Sequence, residues 1–257
     1  MRTLISARPA SLIAVVVLSA CAPEARDGVL TGVVTVDAAA DSDPVASARV
    51  RTFDASSARR DDVTTDSDGR FEAAIPWAGG FFVQIEHEAA VPTSFSVIST
   101  SGAVEGGVGD LWLRTDDQVE LLRETFSTCP TVGEAGAIVE GQVKVYLPVS
   151  QVDDLPAITT ARVTLTDPDG VEHTACYLDG RSQSDPDATV TGGTGRFAFF
   201  GLPAGVGLLH VEYFIDESYV DDTGDVEEAI VQGGELPIWM VEGGVSPLYP
   251  LWAAAPQ

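Results

Sequence analysis

Lysine is almost missing from this chain. Lys144 is the only one, and 14 basic residues face 39 acidic ones, for a formal net charge of −25. That balance excludes a nucleic-acid partner, because phosphate binding needs clustered Lys and Arg. Anionic lipid headgroups would repel the same surface. The acids are scattered over the whole length, which reads as a hydrated surface rather than one cation site. Histidine and cysteine are scarce as well, with three of each. His87, His173 and His210 stand in no HExxH or HxxE spacing, and neither Cys129 nor Cys176 has a CxxC partner. A GxSxG elbow and a Cys-His arrangement are also absent. No catalytic residue, metal ligand or cofactor site is therefore expected. Each histidine lies in or beside an apparent strand near Glu88, Glu172 or Glu212, and reads as a solvent-facing or paired side chain.

Long apolar runs are lacking too. The longest near the N-terminus, Leu12 to Ala20, covers nine residues, whereas a spanning helix needs roughly 20. With Arg2 and Arg8 before it and small residues at its end, it has the layout of a secretory signal peptide. Leu18-Ser19-Ala20-Cys21 resembles the lipobox of bacterial lipoproteins. The resemblance implies cleavage before Cys21 and acyl chains on its thiol. Several such chains make a durable anchor, at about 0.8 kcal/mol per buried CH₂. Removing the first 20 of 257 residues leaves 237; removing Arg2 and Arg8 leaves 12 basic against 39 acidic residues, a net charge of −27. Residues 22–27 would be a short tether. Ala22 after the cysteine, where Asp marks many inner-membrane lipoproteins, implies sorting to the outer membrane.

Once Cys21 is assigned to lipid, Cys129 and Cys176 remain. In an exported protein they read as one disulfide, or else as two separate buried thiols.

The mature part reads as β throughout. Gly and Asp clusters interrupt short apolar runs at the intervals of a sandwich or barrel. Asp68-Gly69 marks a hairpin, since glycine accepts the positive φ of such a turn. Asp66-Ser67-Asp68-Gly69 also invites a calcium reading, but an EF-hand loop would then have Thr64 at its first position and Ile75 at its twelfth. Asp185, Asp187, Asp221 and Asp222 fit calcium less well. Phe81, Val83 and Ile85 alternate with Phe82, Gln84 and Glu86, a half-buried strand in which Phe82 is on the wrong face.

Internal repetition organises the rest. Gly32-Val33-Val34-Thr35-Val36 is answered by Gly141-Gln142-Val143-Lys144-Val145, and Ala48-Arg49-Val50 by Ala161-Arg162-Val163. Gly69-Arg70-Phe71 returns as Gly195-Arg196-Phe197, and Leu111-Trp112-Leu113 as Ile238-Trp239-Met240. The blocks keep their order, so two related units are expected at 28–114 and 137–241. Val50, Phe71, Trp112, Val163, Phe197 and Trp239 should be substantially buried. The second unit carries longer loops, placed at Leu147–Thr159 and Asp179–Thr194. In the linker 115–136, Asp117 with Glu120 predicts a capped helix whose Val119, Leu122 and Phe126 share a face; an edge strand is the alternative. In 242–257 the glycines and prolines exclude a long element. Leu248, Tyr249, Leu251 and Trp252 there would dock on the second unit or mark a partner surface.

These residues resemble the carboxypeptidase regulatory-like domain, a transthyretin-like seven-stranded sandwich. Gly32 and Val34, then Pro44, Val45, Ala48 and Val50, follow its first two strands. Thr65, Asp66, Asp68, Gly69 and Phe71 match its hairpin, and Pro76, Gly79, Phe81 and Val83 the strand after it. In the second unit Thr191, Gly195, Phe197, Phe199, Leu202, Pro203 and Gly205 fit, while Thr194 replaces the hairpin aspartate. The resemblance implies an all-β chain of two tandem antiparallel seven-stranded sandwiches joined by a short helical linker. It implies no activity, because the fold serves unrelated roles. Hydroxyisourate hydrolases share it but end in Tyr-Arg-Gly-Ser, and this chain ends in Ala253-Ala254-Ala255-Pro256-Gln257. The expected function is a non-enzymatic envelope lipoprotein, a spacer or binding module for carbohydrate or an envelope protein. The alternative is an accessory subunit of an export or surface-enzyme complex, docking through the aromatic tail.

Overall fold

Alternating apolar and polar residues put one face of each strand against a core, and turn residues set where the chain reverses. A computed structural model describes residues 27–36, 42–76, 79–99, 111–146, 161–179, 181–214, 231–248 and 251–254. The expected signal peptide, Cys21, residues 22–26 of the expected tether, the loop expected at Leu147–Thr159 and the pair Asp221-Asp222 lie outside them. No helix among the described residues is long and apolar enough to cross a membrane.

The first unit has β1 (Asp27–Thr35), β4 (Arg70–Pro76) and β7 (Leu111–Trp112) in one sheet, ordered β4-β1-β7. Against it lie β2 (Arg49–Asp54), β3 (Arg59–Thr64), β5 (Gly79–Glu86) and β6 (Thr93–Ser99), ordered β6-β5-β2-β3. Leu30, Val34, Val50, Phe71, Ile75, Phe81, Val83, Ile85, Phe95 and Leu111 fill the space between. The expected Asp-Gly turn forms, with the Gly69 N–H donating to the Asp66 carbonyl, but it is not a hairpin: β3 pairs with β2 and β4 with β1, so the turn carries the chain from one sheet to the other. Gly69 has φ +72°, and a Cβ there would meet the Val34 carbonyl oxygen at 2.8 Å, so only glycine fits.

In the second unit β8 (Ala137–Tyr146), β13 (Arg196–Leu202), β11 (Cys176–Leu178) and β12 (Ser184–Asp185) make one layer. The other is β9 (Ala161–Thr166), β10 (Glu172–Thr174), β14 (Gly205–Phe214) and β15 (Val231–Met240), ordered β10-β9-β14-β15. Val139, Val143, Val163, Leu165, Tyr177, Phe197, Phe199, Leu209, Ile238 and Met240 form its core. The strand pairing between Glu172 and Leu178 is broken at Ala175. β10 pairs with β9 and β11 with β13, so the chain crosses from one layer to the other there.

The expectation of two self-contained antiparallel sandwiches of seven strands needs correcting. The described second unit has eight strands, and the C-terminal segment adds β16 (Val245–Pro247) and β17 (Leu251–Ala254). β16 lies parallel to both β6, through Val245 and Thr93, and β8, through Val245 and Ile138. It thereby fuses the two units into one ten-stranded sheet, β12-β11-β13-β8-β16-β6-β5-β2-β3, with β17 also paired to β8. β17 runs parallel to β8 and β7 parallel to β1. The tail is thus part of the fold rather than an appended segment.

The linker contains α1 (Asp116–Thr125), but Asp117 is not its cap. Thr115, extended at φ −77° and ψ 162°, accepts from the Gln118 N–H while the Gln118 side chain accepts from the Thr115 N–H. This capping box satisfies two otherwise orphan donors and leaves Asp116 and Asp117 in the first turn, where the helix dipole favours them. The apolar face is as expected. Leu122 and Phe126, with Val119 against them, join Val91, Cys129, Ile138, Leu178, Phe200 and Val245 in a third core beside the fused sheet. Cys129 and Cys176 form a disulfide there, with their Cα atoms 5.8 Å apart.

Candidate functional site

The junction of the units is organised by Trp239 on β15. Its ring stacks on Phe53, with centroids 4.7 Å apart and planes at 23°, and on Phe82, at 5.6 Å and 26°. Its Nε1 donates to Gln84 Oε1 at 3.3 Å. Phe82 and Gln84 are therefore nearly inaccessible, at 2% and 6% exposure, although they lie on the outward face of β5. The Ser94 and Ser246 hydroxyls and the Trp239 carbonyl form a triangle with sides of 2.6, 2.7 and 2.7 Å. The Arg114 guanidinium makes an ion pair with the largely buried Glu140 across the junction. Val50, Phe71, Val163 and Phe197 are buried in the cores of their own units. Trp112 and Trp239 are only half-buried; Trp112 packs on the rim of the first core and Trp239 on the neighbouring unit.

Most cations are already engaged. Arg49 and Arg59 meet Asp62, Arg51 meets Glu86, and Arg60 meets Asp54. Arg162 pairs with Glu212. Arg123 donates to the Val132 carbonyl and lies over the Phe200 ring. Among the described residues the guanidinium groups of Arg70, Arg181 and Arg196 have neither hydrogen bond nor ion pair.

Two of these, Arg70 and Arg196, each line a groove. A cleft of about 550 Å³ opens between β1, β3 and β4, with Arg70, Asp66, Glu72, Thr31 and Thr64 at its sides. A smaller one of about 190 Å³ lies at the junction, between Arg196, Gln142, Glu140, Arg114, Trp112 and Leu248. A third, of about 520 Å³, is bordered by Ser47, Glu86, His87, Glu88 and Pro92. Glu86 is taken up by Arg51 and Gln84, and His87 accepts from the Ala89 N–H, so its polar groups serve the loop.

The turn aspartates are similarly occupied. Asp66 accepts from the N–H groups of Asp68 and Arg70, and Asp185 from that of Asp187. Asp179 bonds the Gln183 and Arg181 N–H groups in the same way, which holds its carboxyl below the usual range. Asp54 is lowered by the Ser56 hydroxyl and by two turn N–H groups. The hydrogen bond from His173, helped by the Val171 and Asp169 N–H groups, lowers the Asp167 carboxyl. His173 thus pairs with Asp167 at 2.9 Å, six residues back, and not with its neighbour Glu172. His210 reaches Glu212 at 3.4 Å. No cluster of three or more His, Cys, Asp or Glu groups suited to a metal ion occurs among the described residues.

No family model matches the chain, and no curated protein matches it. Solved structures that match the chain include the TIE protein of Bacillus anthracis, 13% identical over 89% of this chain, with a TM-score of 0.27. The chain spans about a third (33%) of that protein's length. The minor pilin GBS52 of Streptococcus agalactiae is 11% identical, with 90% of this chain and 97% of the pilin covered and a TM-score of 0.28. For the shaft pilin SpaA of Lactobacillus rhamnosus GG the figures are 10%, 91%, 98% and 0.25. Overlaps this slight identify no shared site.

Proposed function

We propose that the chain is a non-enzymatic lipoprotein of the cell envelope, anchored through Cys21 in the outer membrane, whose paired sandwiches at 28–114 and 137–241 form a rigid spacer and binding module of the carboxypeptidase regulatory-like kind. The observation that carries this reading is the seam between the units. A shared sheet through β16, the Trp239 stack and the Ser94–Ser246–Trp239 triangle join them in place of a flexible linker. Such a joint transmits position. Asp27 already lies in β1, so a tether of 22–26 would reach about 17 Å at full extension, given roughly 3.3–3.6 Å per residue. It would keep the first unit near the bilayer while the second is held outward at a set angle. A charge of −27 on the mature chain favours that standing posture, since anionic headgroups repel the body.

The seam also bears on the accessory-subunit reading. β16 and β17 are paired within the sheet, so deletion of 247–257 would remove part of the fold along with any docking peptide. The test is pulsed electron paramagnetic resonance between spin labels at Ala55→Cys and Glu172→Cys, both exposed positions, in Cys21→Ser protein. One narrow distance distribution is expected; a broad one would overturn the spacer reading.

A further inference from the structure

Arg70 and Arg196, the two unpartnered arginines that line grooves, occupy equivalent places in the repeat. Val33 pairs across the strands with Arg70, and Gly32 with Phe71; Gln142 pairs with Arg196, and Gly141 with Phe197. In the second unit the glycine leaves room for the phenylalanine opposite. A Cβ on Gly141 would meet Phe197 Cζ at 2.6 Å. The arginine next to it projects from the same strand pair into a groove, whose other polar side chains are carboxylates and hydroxyls in the first unit, and Glu140, Gln142, the Arg114 guanidinium and the Trp112 indole in the second. Both grooves also offer apolar wall, Val63 and Phe71 in the first, Trp112 and Leu248 in the second. In the second, Arg114 Nε is buried with no hydrogen-bond partner among the described residues.

We propose that the duplicated Gly-Arg-Phe strand pair builds two saccharide sites on one rigid body, and that their ligand is a neutral oligosaccharide. The charges select it. The first groove sets Arg70 against Asp66 and Glu72, a balance of minus one. The second sets Arg114 and Arg196 against Glu140, a balance of plus one. A polyanion is opposed in the first groove and a polycation in the second. A polyhydroxylated neutral chain suits both, because each hydroxyl donates to a carboxylate and accepts from a guanidinium. Planar Arg, Glu and Gln groups can each engage two adjacent hydroxyls, and the C–H face of a ring covers the apolar wall. The first volume lies within the roughly 300–1,000 Å³ of small-ligand clefts, and the second is below it, a size for a terminal ring. With the seam holding the grooves at a fixed separation, a long glycan that spans them gains avidity without further contacts.

The inference rests on the reading of the chain as a rigid binding module and names its ligand class. Its test uses the full mature chain with trisaccharides of β-1,4-linked glucose, N-acetylglucosamine and mannose, and with trigalacturonate as a charged comparison. Titration calorimetry should give two sites per chain for one of the neutral probes, one site in Arg70→Ala and in Arg196→Ala, and none in the double variant. Neither guanidinium has a partner, so the variants should melt as the parent does. Arg70→Lys and Arg196→Lys keep the charge but lose the planar fork, and should bind at least 10-fold more weakly at the altered site. Binding of trigalacturonate alone, binding of none of the probes, or neutral binding that survives in the double variant would each overturn the inference. A narrow spin-label distance alongside absent glycan binding would remove this inference and leave the spacer standing; a broad distance alongside two-site binding would remove the rigid spacing and leave only the two saccharide sites.

Discussion

Trp239→Ala should loosen the whole molecule although Trp239 belongs to neither core. Truncating a core Trp or Phe costs about 3–5 kcal/mol. Trp239 is half-buried, which puts its transfer and cavity cost toward the low end. The two stacked contacts contribute about 0.5–1.5 kcal/mol each beyond area. Loss of the Nε1 donor also leaves Gln84 Oε1 without that partner in a side chain only 6% exposed, a further penalty of about 1 kcal/mol if water reaches it. Since these contributions overlap, a total near 3 kcal/mol is expected, a large share of the ~5–15 kcal/mol that holds a domain together. Trp239→Phe retains a stacked ring and loses the hydrogen bond, so it should cost about 1 kcal/mol. Urea denaturation followed by circular dichroism reads both values. A Trp239→Ala protein within 0.5 kcal/mol of the parent would refute the claim that this stack couples the units.

Four further outcomes are expected. Cys21→Ser should abolish incorporation of a fatty-acid analogue in cells, and undiminished labelling would disprove the anchor. The disulfide closes a loop of about 48 residues, so Cys129→Ala with Cys176→Ala should cost up to about 4 kcal/mol, with calorimetric melting as the readout. The folded Asp167 carboxyl titrates below its unfolded value, so its stabilising effect is complete above about pH 3.9 and is lost as pH falls through the folded value. Asp167→Asn should therefore lower stability at pH 7 and narrow the gap in melting temperature between pH 7 and pH 3. Gly141→Ala pushes a methyl into the Phe197 ring and should destabilise by about 1–3 kcal/mol, measurable by urea midpoint.

Local chemistry in the sequence determined much of this protein. Asp68-Gly69 specified a turn because only glycine tolerates φ +72° against the Val34 carbonyl, although the strands it joins, β3 and β4, pair in different sheets and make no hairpin. The ordered repeats anticipated two cores, and Val119, Leu122 and Phe126 the buried face of the linker helix. The Gly-Arg-Phe repeat was legible as well. That Arg70 and Arg196 would stand unpaired beside grooves was not, since it depends on which acids the packed sheets bring within reach. The cap at Thr115 was missed for a nearer reason. Two overlapping boxes, Thr115 with Gln118 and Asp117 with Glu120, compete on paper, and the extended backbone at Thr115 decides between them. Tertiary structure alone supplied the seam. Alternation shows that Phe82 and Gln84 face away from their own core, but not that Trp239, more than 150 residues on, will cover them. Nor does a local pattern reveal that Val245 will lie parallel between β6 and β8. Parallel pairing between distant segments leaves no hairpin signal, so it emerges only when the two sandwiches meet.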